Sequence, residues 1–171
     1  KPNEWSKVSK TYLSFGYEVS VTPVQMVAAY CALINGGVLY EPQLVLRQIN
    51  ANGDLIKEFE PKEIRRVISE KTSEIIKNLL GDVVNNGTGK KAKSDFITIG
   101  GKTGTSQKLV DGAYSKQYYN SSFIGFFPVE DPQVVCLILI NSPDHGKYGG
   151  LVAAPIFKNV AERIVQTDND K

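Results

Sequence analysis

The last helix-forming segment constrains this chain most. Between residues 153 and 165, Ile156, Phe157, Val160 and Ile164 recur on one helical face. A helix with a single apolar face needs a sheet to lie on. The preceding chain offers one. Residues 96–107, 120–127 and 133–141 read as strands, being rich in aromatic and β-branched side chains. The turn Val129-Glu130-Asp131-Pro132 joins the last two. Successive strands of this kind form an antiparallel meander. The expected fold class is therefore α+β, an antiparallel sheet packed with helices.

Earlier segments fit that frame. Thr22-Pro23-Val24-Gln25 is a sharp helix start, with Thr22 as N-cap, Pro23 at the first helical position and Gln25 closing a capping box. This helix should run to about Asn35 and stop at Gly36-Gly37. Val24, Val27, Cys31 and Ile34 form a stripe, and Ala28, Ala29 and Ala32 cover much of the rest, so a buried helix is expected. Met26 and Tyr30 read as packing residues. Residues 44–50 and 55–59 flank Ala51-Asn52-Gly53-Asp54 and read as a hairpin. Ser69 caps a second helix reaching about Asn86. Residues 1–20 show no helical period, and Gly16 marks a turn. Residues 88–94 and 108–118 read as polar loops, and the tail from Gln166 should fray.

The chemistry concentrates in Gly101-Lys102-Thr103-Gly104-Thr105. A lysine, two hydroxyls and several glycines are unusual for a strand. Glycine there often marks close approach by a ligand or another backbone. Alternation places Lys102 and Gly104 on one face and Thr103 and Thr105 on the other. At a twisted edge a small acid could meet the ammonium and both hydroxyls. The plain reading is a glycine-rich strand end with a solvated lysine. A phosphate-binding loop does not fit, because the glycine required five residues before the Gly-Lys step is Phe96. Gly87-Thr88-Gly89-Lys90-Lys91 fails too, since Lys91 stands where Ser or Thr is required. Lys90, Lys91 and Lys93 read most simply as a solvated loop.

Composition removes other classes. With 42% hydrophobic and 22% charged residues, the 171-residue chain is ordinary for a globular domain. A net charge of +2 implies no nucleic-acid partner. Cys31 and Cys136 lie in apolar segments and read as small buried hydrophobes. His145 is the single histidine, in a Pro-Asp-His-Gly turn, so neither a zinc ligand set nor a Ser-His-Asp triad is expected. The longest apolar run, residues 134–140, is too short to span a bilayer.

Four stretches in order carry a resemblance. They are Ser14-Phe15-Gly16-Tyr17 through Thr22-Pro23-Val24-Gln25, then Ala28-Ala29-Tyr30 and Asn35-Gly36-Gly37; Asn86-Gly87-Thr88-Gly89-Lys90-Lys91-Ala92; the box Gly101-Lys102-Thr103-Gly104-Thr105; and Ser121-Ser122-Phe123-Ile124-Gly125-Phe126-Phe127-Pro128 with Tyr148-Gly149-Gly150 and Ala153-Ala154-Pro155-Ile156-Phe157. Together they resemble the C-terminal part of a class B, high-molecular-weight penicillin-binding protein transpeptidase domain. The match covers nearly all of residues 14–165.

The resemblance implies a serine acyl-enzyme D,D-transpeptidase that cross-links D-alanyl-D-alanine stem peptides of peptidoglycan and is blocked by β-lactams, with no cofactor. It implies that Lys102, Thr103, Gly104 and Thr105 bind substrate. Lys102 would supply charge, Thr103 and Thr105 hydroxyl donors, and the Thr105 N–H one oxyanion donor. No serine here is followed three residues later by lysine, and no Ser-x-Asn occurs. Both motifs are expected upstream of Lys1, so the chain reads as one portion of a longer protein. That upstream part, stem peptides, β-lactams and other cell-wall synthesis proteins are the implied partners. The implied site is the extracytoplasmic face of a bacterial membrane, with the anchor outside this chain. A D,D-carboxypeptidase, a serine β-lactamase and a non-enzymatic β-lactam-sensing or structural domain are the alternatives.

Overall fold

In the computed structural model, which describes residues 5–169, the elements follow one another as α1 (Ser9–Ser14), α2 (Pro23–Ile34), β1 (Val38–Tyr40), β2 (Arg47–Ile49), β3 (Leu55–Glu58), β4 (Glu63–Arg66), α3 (Glu70–Asn85), β5 (Gly100–Val110), β6 (Ala113–Phe127), β7 (Val134–Asn141) and α4 (Gly149–Asn169). A short 3-10 turn, Lys90–Ala92, leads towards β5.

The expected meander is present. β5, β6 and β7 form an antiparallel sheet in that order. The apolar face of α4 lies on it. Phe157 sits with its ring centroid 4.9 Å from that of Phe123 and 6.1 Å from that of Phe127, and all three rings are buried. Ala153, Ala154 and Ala161 are small enough to bring the helix backbone close, and they too are buried. On the opposite face, Phe126 packs against Ile34 from α2 and Leu80 from α3. Full burial of one such side chain contributes about 1.5–3 kcal/mol. The β5 backbone must pass beneath Phe126: a Cβ on Gly100 would lie 2.4 Å from that ring.

The helix starts are as read. The Thr22 side chain accepts from the Gln25 N–H, Gln25 reaches back to the Thr22 N–H, and Pro23 fills the first turn. The Ser69 hydroxyl accepts from the Thr72 N–H to start α3. The hairpin is also present, with Arg47 opposite Glu58 and Ile49 opposite Leu55. His145 lies exposed in its turn.

Several boundaries differ, each for a local reason. The strand through the box begins at Gly100, so residues 96–99 are not strand. Its partner β6 ends at Phe127, and Pro128 has no N–H to continue the ladder. Thr98 instead turns to the neighbouring turn: its hydroxyl donates to the Glu130 carboxylate and accepts from the Val129 N–H at 3.0 Å. That bond holds the Glu130 carboxyl below the usual carboxylate range, so the link is complete above that range and is lost towards acid. Phe96 is left exposed.

The expected polar loop at residues 108–118 is the tip of a long hairpin. Asp111 and Gly112, at φ +49° and +79°, form a two-residue turn, with Val110 opposite Ala113 and Leu109 opposite Tyr114. Residues 9–14 form a short helix, and β1 pairs with β4, neither of which the pattern announced. Helix α4 starts at Gly149, before the expected residue 153, which places Pro155 inside it. It continues through Gln166 to Asn169 rather than fraying, and the end of the expected tail lies outside the described residues.

The largest correction concerns α2. Only its last turn, at Ala32 and Ile34, is buried, and Val24 is 58% exposed. Val24, Val27, Ala28 and Cys31 line an open cavity of about 610 Å³ that reaches Leu137 and Leu139 of β7. Its apolar stripe is real, but within these residues little covers it. Tyr30 does pack, against the Phe126 cluster, and burial pushes its hydroxyl pKa up. Cys31 and Cys136 are free and half-buried, and desolvation raises both thiols.

Phe157 is the most connected ring of the core. Phe157→Ala should lower stability by about 3–5 kcal/mol, read as a shift in the urea midpoint at constant slope. A loss under 1 kcal/mol would mean that α4 is not what holds the sheet.

Candidate active site

Among the described residues, strand β5 has a neighbour on one side only. Which groups face the open side follows from the next strand. The Ser142 N–H donates to the Tyr119 carbonyl at 2.8 Å, so Tyr119 turns its backbone groups towards β7. Tyr119 stands opposite Gln107 in the β5–β6 ladder. Gln107 must therefore point its own N–H and C=O away from β6. In an antiparallel ladder this orientation repeats at every second residue, and the register is continuous from Gly100 to Gln107. Thr103 and Thr105 accordingly present their backbone groups on the open edge.

Side chains alternate across the sheet. Thr103 and Thr105 stand opposite Phe123 and Ser121, on the face that α4 covers. Both line a cavity of about 390 Å³ with Thr88, Lys90, Lys91 and Tyr148. Lys102 stands opposite Ile124 on the other face and is exposed. Its chain curls to the edge, where Nζ donates to the Thr103 carbonyl at 3.0 Å. The structure thus brings the two threonines together at one cavity, with the ammonium beside them at the strand edge.

Two further groups hold this arrangement. The Gly149 N–H, at the start of α4, donates to Thr105 Oγ1 at 3.0 Å. The Thr88 and Thr103 hydroxyls share a hydrogen bond of 3.0 Å. The helix start reaches β5 only because Gly149 and Gly150 lack side chains. A Cβ on Gly149 would lie 2.2 Å from the Ser122 carbonyl oxygen and 2.4 Å from that of Gly104, and one on Gly150 would lie 2.4 Å from the Thr88 carbonyl oxygen. A Cβ on Gly104 would fall 2.4 Å from Ser122 Oγ, so any side chain there would make that hydroxyl rotate. The sequence pattern did not mark Thr88 and Gly149 as supports for the threonines. They lie 15 and 44 residues from their partners in the chain, so the pairing is a matter of tertiary contact.

An exposed edge of backbone donors, flanked by hydroxyls and a cation, suits an extended peptide ending in a carboxylate. The family model described as the penicillin binding protein transpeptidase domain matches residues 1–162, and this chain belongs to that family. It is 42% identical over 155 residues to the stage V sporulation protein D of Bacillus subtilis, covering 90% of this chain and 24% of that protein. It is 33% identical to the peptidoglycan D,D-transpeptidase FtsI of Buchnera aphidicola, covering 98% of this chain and 28% of that protein. Among solved structures, penicillin binding protein 3 of Mycobacterium tuberculosis superposes with a TM-score of 0.87 at 30% identity, covering 99% of this chain and 40% of that one. The same protein complexed with ampicillin gives a TM-score of 0.85 at 28% identity. The chain spans about a quarter of the length of these curated relatives.

Gly149→Ala should cost about 1–3 kcal/mol in urea unfolding, because the clash is with fixed backbone oxygens. A variant as stable as the parent would mean that the helix start can retreat without loss.

Proposed function

We propose that this chain supplies the substrate-binding strand of a serine D,D-transpeptidase that cross-links D-alanyl-D-alanine stem peptides and is acylated by β-lactams. The observation that carries the reading is the open edge of β5, where Thr105 directs its N–H outward between two hydroxyls and the Lys102 ammonium. The donor peptide adds to this edge as an antiparallel strand. The Thr103 and Thr105 hydroxyls donate to its terminal carboxylate, and Lys102 supplies a compensating charge. The Thr105 N–H donates to the carbonyl oxygen as it becomes an oxyanion.

The nucleophile is a serine of a Ser-x-x-Lys motif, which these residues lack. We place it, with the Ser-x-Asn loop, in the part of the family domain that lies outside residues 1–171. Its hydroxyl oxygen attacks the penultimate carbonyl carbon and its proton passes to the lysine of the same motif. The amide bond breaks, terminal D-alanine leaves with a proton, and an ester remains. An amine from a neighbouring stem then attacks the ester and returns the serine hydroxyl. The open ground beside Lys102 and the uncovered stripe of α2 are the surfaces on which that part of the domain would rest. The proposed setting is the extracytoplasmic face of a bacterial membrane, among other cell-wall synthesis proteins.

Two experiments test this. In the full-length protein, Lys102→Ala should slow acylation by a labelled penicillin about 10²–10³-fold, on the scale of losing one preorganised electrostatic group, with little change in melting temperature. Lys102→Arg should recover only part of the rate, since its fork is wider than an ammonium. Wild-type acylation in the alanine variant would reduce Lys102 to a solvated strand residue. Separately, residues 1–171 alone should show no adduct by mass spectrometry after β-lactam treatment. A stoichiometric adduct on Ser106 or Ser122 would place the nucleophile within this chain.

A further inference from the structure

The open edge of β5 is not equally free along its length. Among the described residues no hydrogen bond takes up the outward N–H of Thr105. Two residues further on, the Gln107 N–H meets the Tyr17 hydroxyl oxygen at 3.5 Å. That tyrosine belongs to the segment ahead of α2 and is 90 residues away in sequence. It is held from several sides. Its ring stacks edge-on against Tyr114, just past the hairpin turn, with centroids 5.0 Å apart. Phe15 and Tyr12 lie against it at 5.5 and 6.3 Å. Its N–H donates to the Tyr12 carbonyl at 3.0 Å, across a turn made by Gly16 at φ +90°. The hydroxyl is thus delivered to the strand edge by an aromatic cluster.

This position bears on a peptide added to β5. If the residue carrying the scissile carbonyl lies opposite Thr105, the ladder period puts the residue two earlier opposite Gln107. The carbonyl of that earlier residue needs the Gln107 N–H, which the Tyr17 hydroxyl already engages. A contact of 3.5 Å is at the long limit for a hydrogen bond, so a ligand can displace it, at the cost of what the contact contributes.

We infer that Tyr17 is a positioning residue that limits strand pairing between β5 and its ligand to the stretch around Thr103 and Thr105, disfavouring donors that reach Gln107. The inference rests on the transpeptidase reading, because it takes β5 as the substrate strand. It assigns to a tyrosine outside the box a role in selecting the length and register of the donor.

The test compares full-length wild type with Tyr17→Phe, which removes the hydroxyl and keeps the stacked ring. Two donors ending in D-alanyl-D-alanine are used: an N-acetylated dipeptide, and the same dipeptide extended by two residues at its N-terminus. The readout is the ratio of their second-order acylation rates, extended over short. Loss of the competing hydroxyl should raise that ratio about twofold to threefold, at the low end of one net hydrogen bond because the contact is long. A change in fold alone would move both rates together and leave the ratio where it was. An unchanged or lowered ratio, in an enzyme whose acylation still depends on Lys102, overturns the assignment of Tyr17 alone. If Lys102→Ala acylates at the wild-type rate, the substrate-strand reading falls and the Tyr17 assignment falls with it.

Discussion

The contact between the start of α4 and the middle of β5 is the constraint from which the site follows. One hydrogen bond from backbone to side chain, Gly149 N–H to Thr105 Oγ1, ties the helix to the strand where the threonines stand. It forms because the chain at Gly149 passes within side-chain distance of two carbonyl oxygens. It is kept because Phe157, two turns along the same helix, is locked between Phe123 and Phe127 of β6. Core packing thereby fixes the position of a hydroxyl at the molecule's edge. Loosening the aromatic cluster would let the helix start drift, and Thr105 would lose its direction before the sheet lost its ladder.

The two faces of the sheet differ in how complete they are. The α4 face is closed by rings and alanines. The other face is closed at Phe126, where α2 and α3 meet it, and open around Lys102 and along the α2 stripe. Lys102 stands exposed there, and the apolar stripe is left without cover among the described residues.

Much of the scaffold was legible because its signals are local. Thr22, Pro23 and Gln25 mark a helix start by chemistry within four positions. Asn52-Gly53 marks a turn in the same way. The single apolar face of α4 announced a sheet, and the strands ahead of it could be counted. Asp111-Gly112 carried an equally local signal, but the polar residues around it outweighed it, so a paired hairpin read as a loop. The burial of α2 was misjudged because an apolar stripe reports what a helix needs, not what is present to cover it. The box itself was found from composition. Its supports, Thr88 and Gly149, and the tyrosine at Gln107 were not, because each depends on a contact between segments far apart in the chain. The direction of the β5 backbone groups depends on register, which residue types alone do not encode.

An unpaired strand edge is one that a second copy of the chain could join. Proteins commonly blunt such edges with charge, cover or shortness. Here the usable stretch is bounded at both ends. Lys102 closes over the Thr103 carbonyl on one side, and the Tyr17 hydroxyl meets Gln107 on the other. A second copy pairing along β5 would have to displace both contacts, leaving only the short stretch around Thr105 open to it from the start.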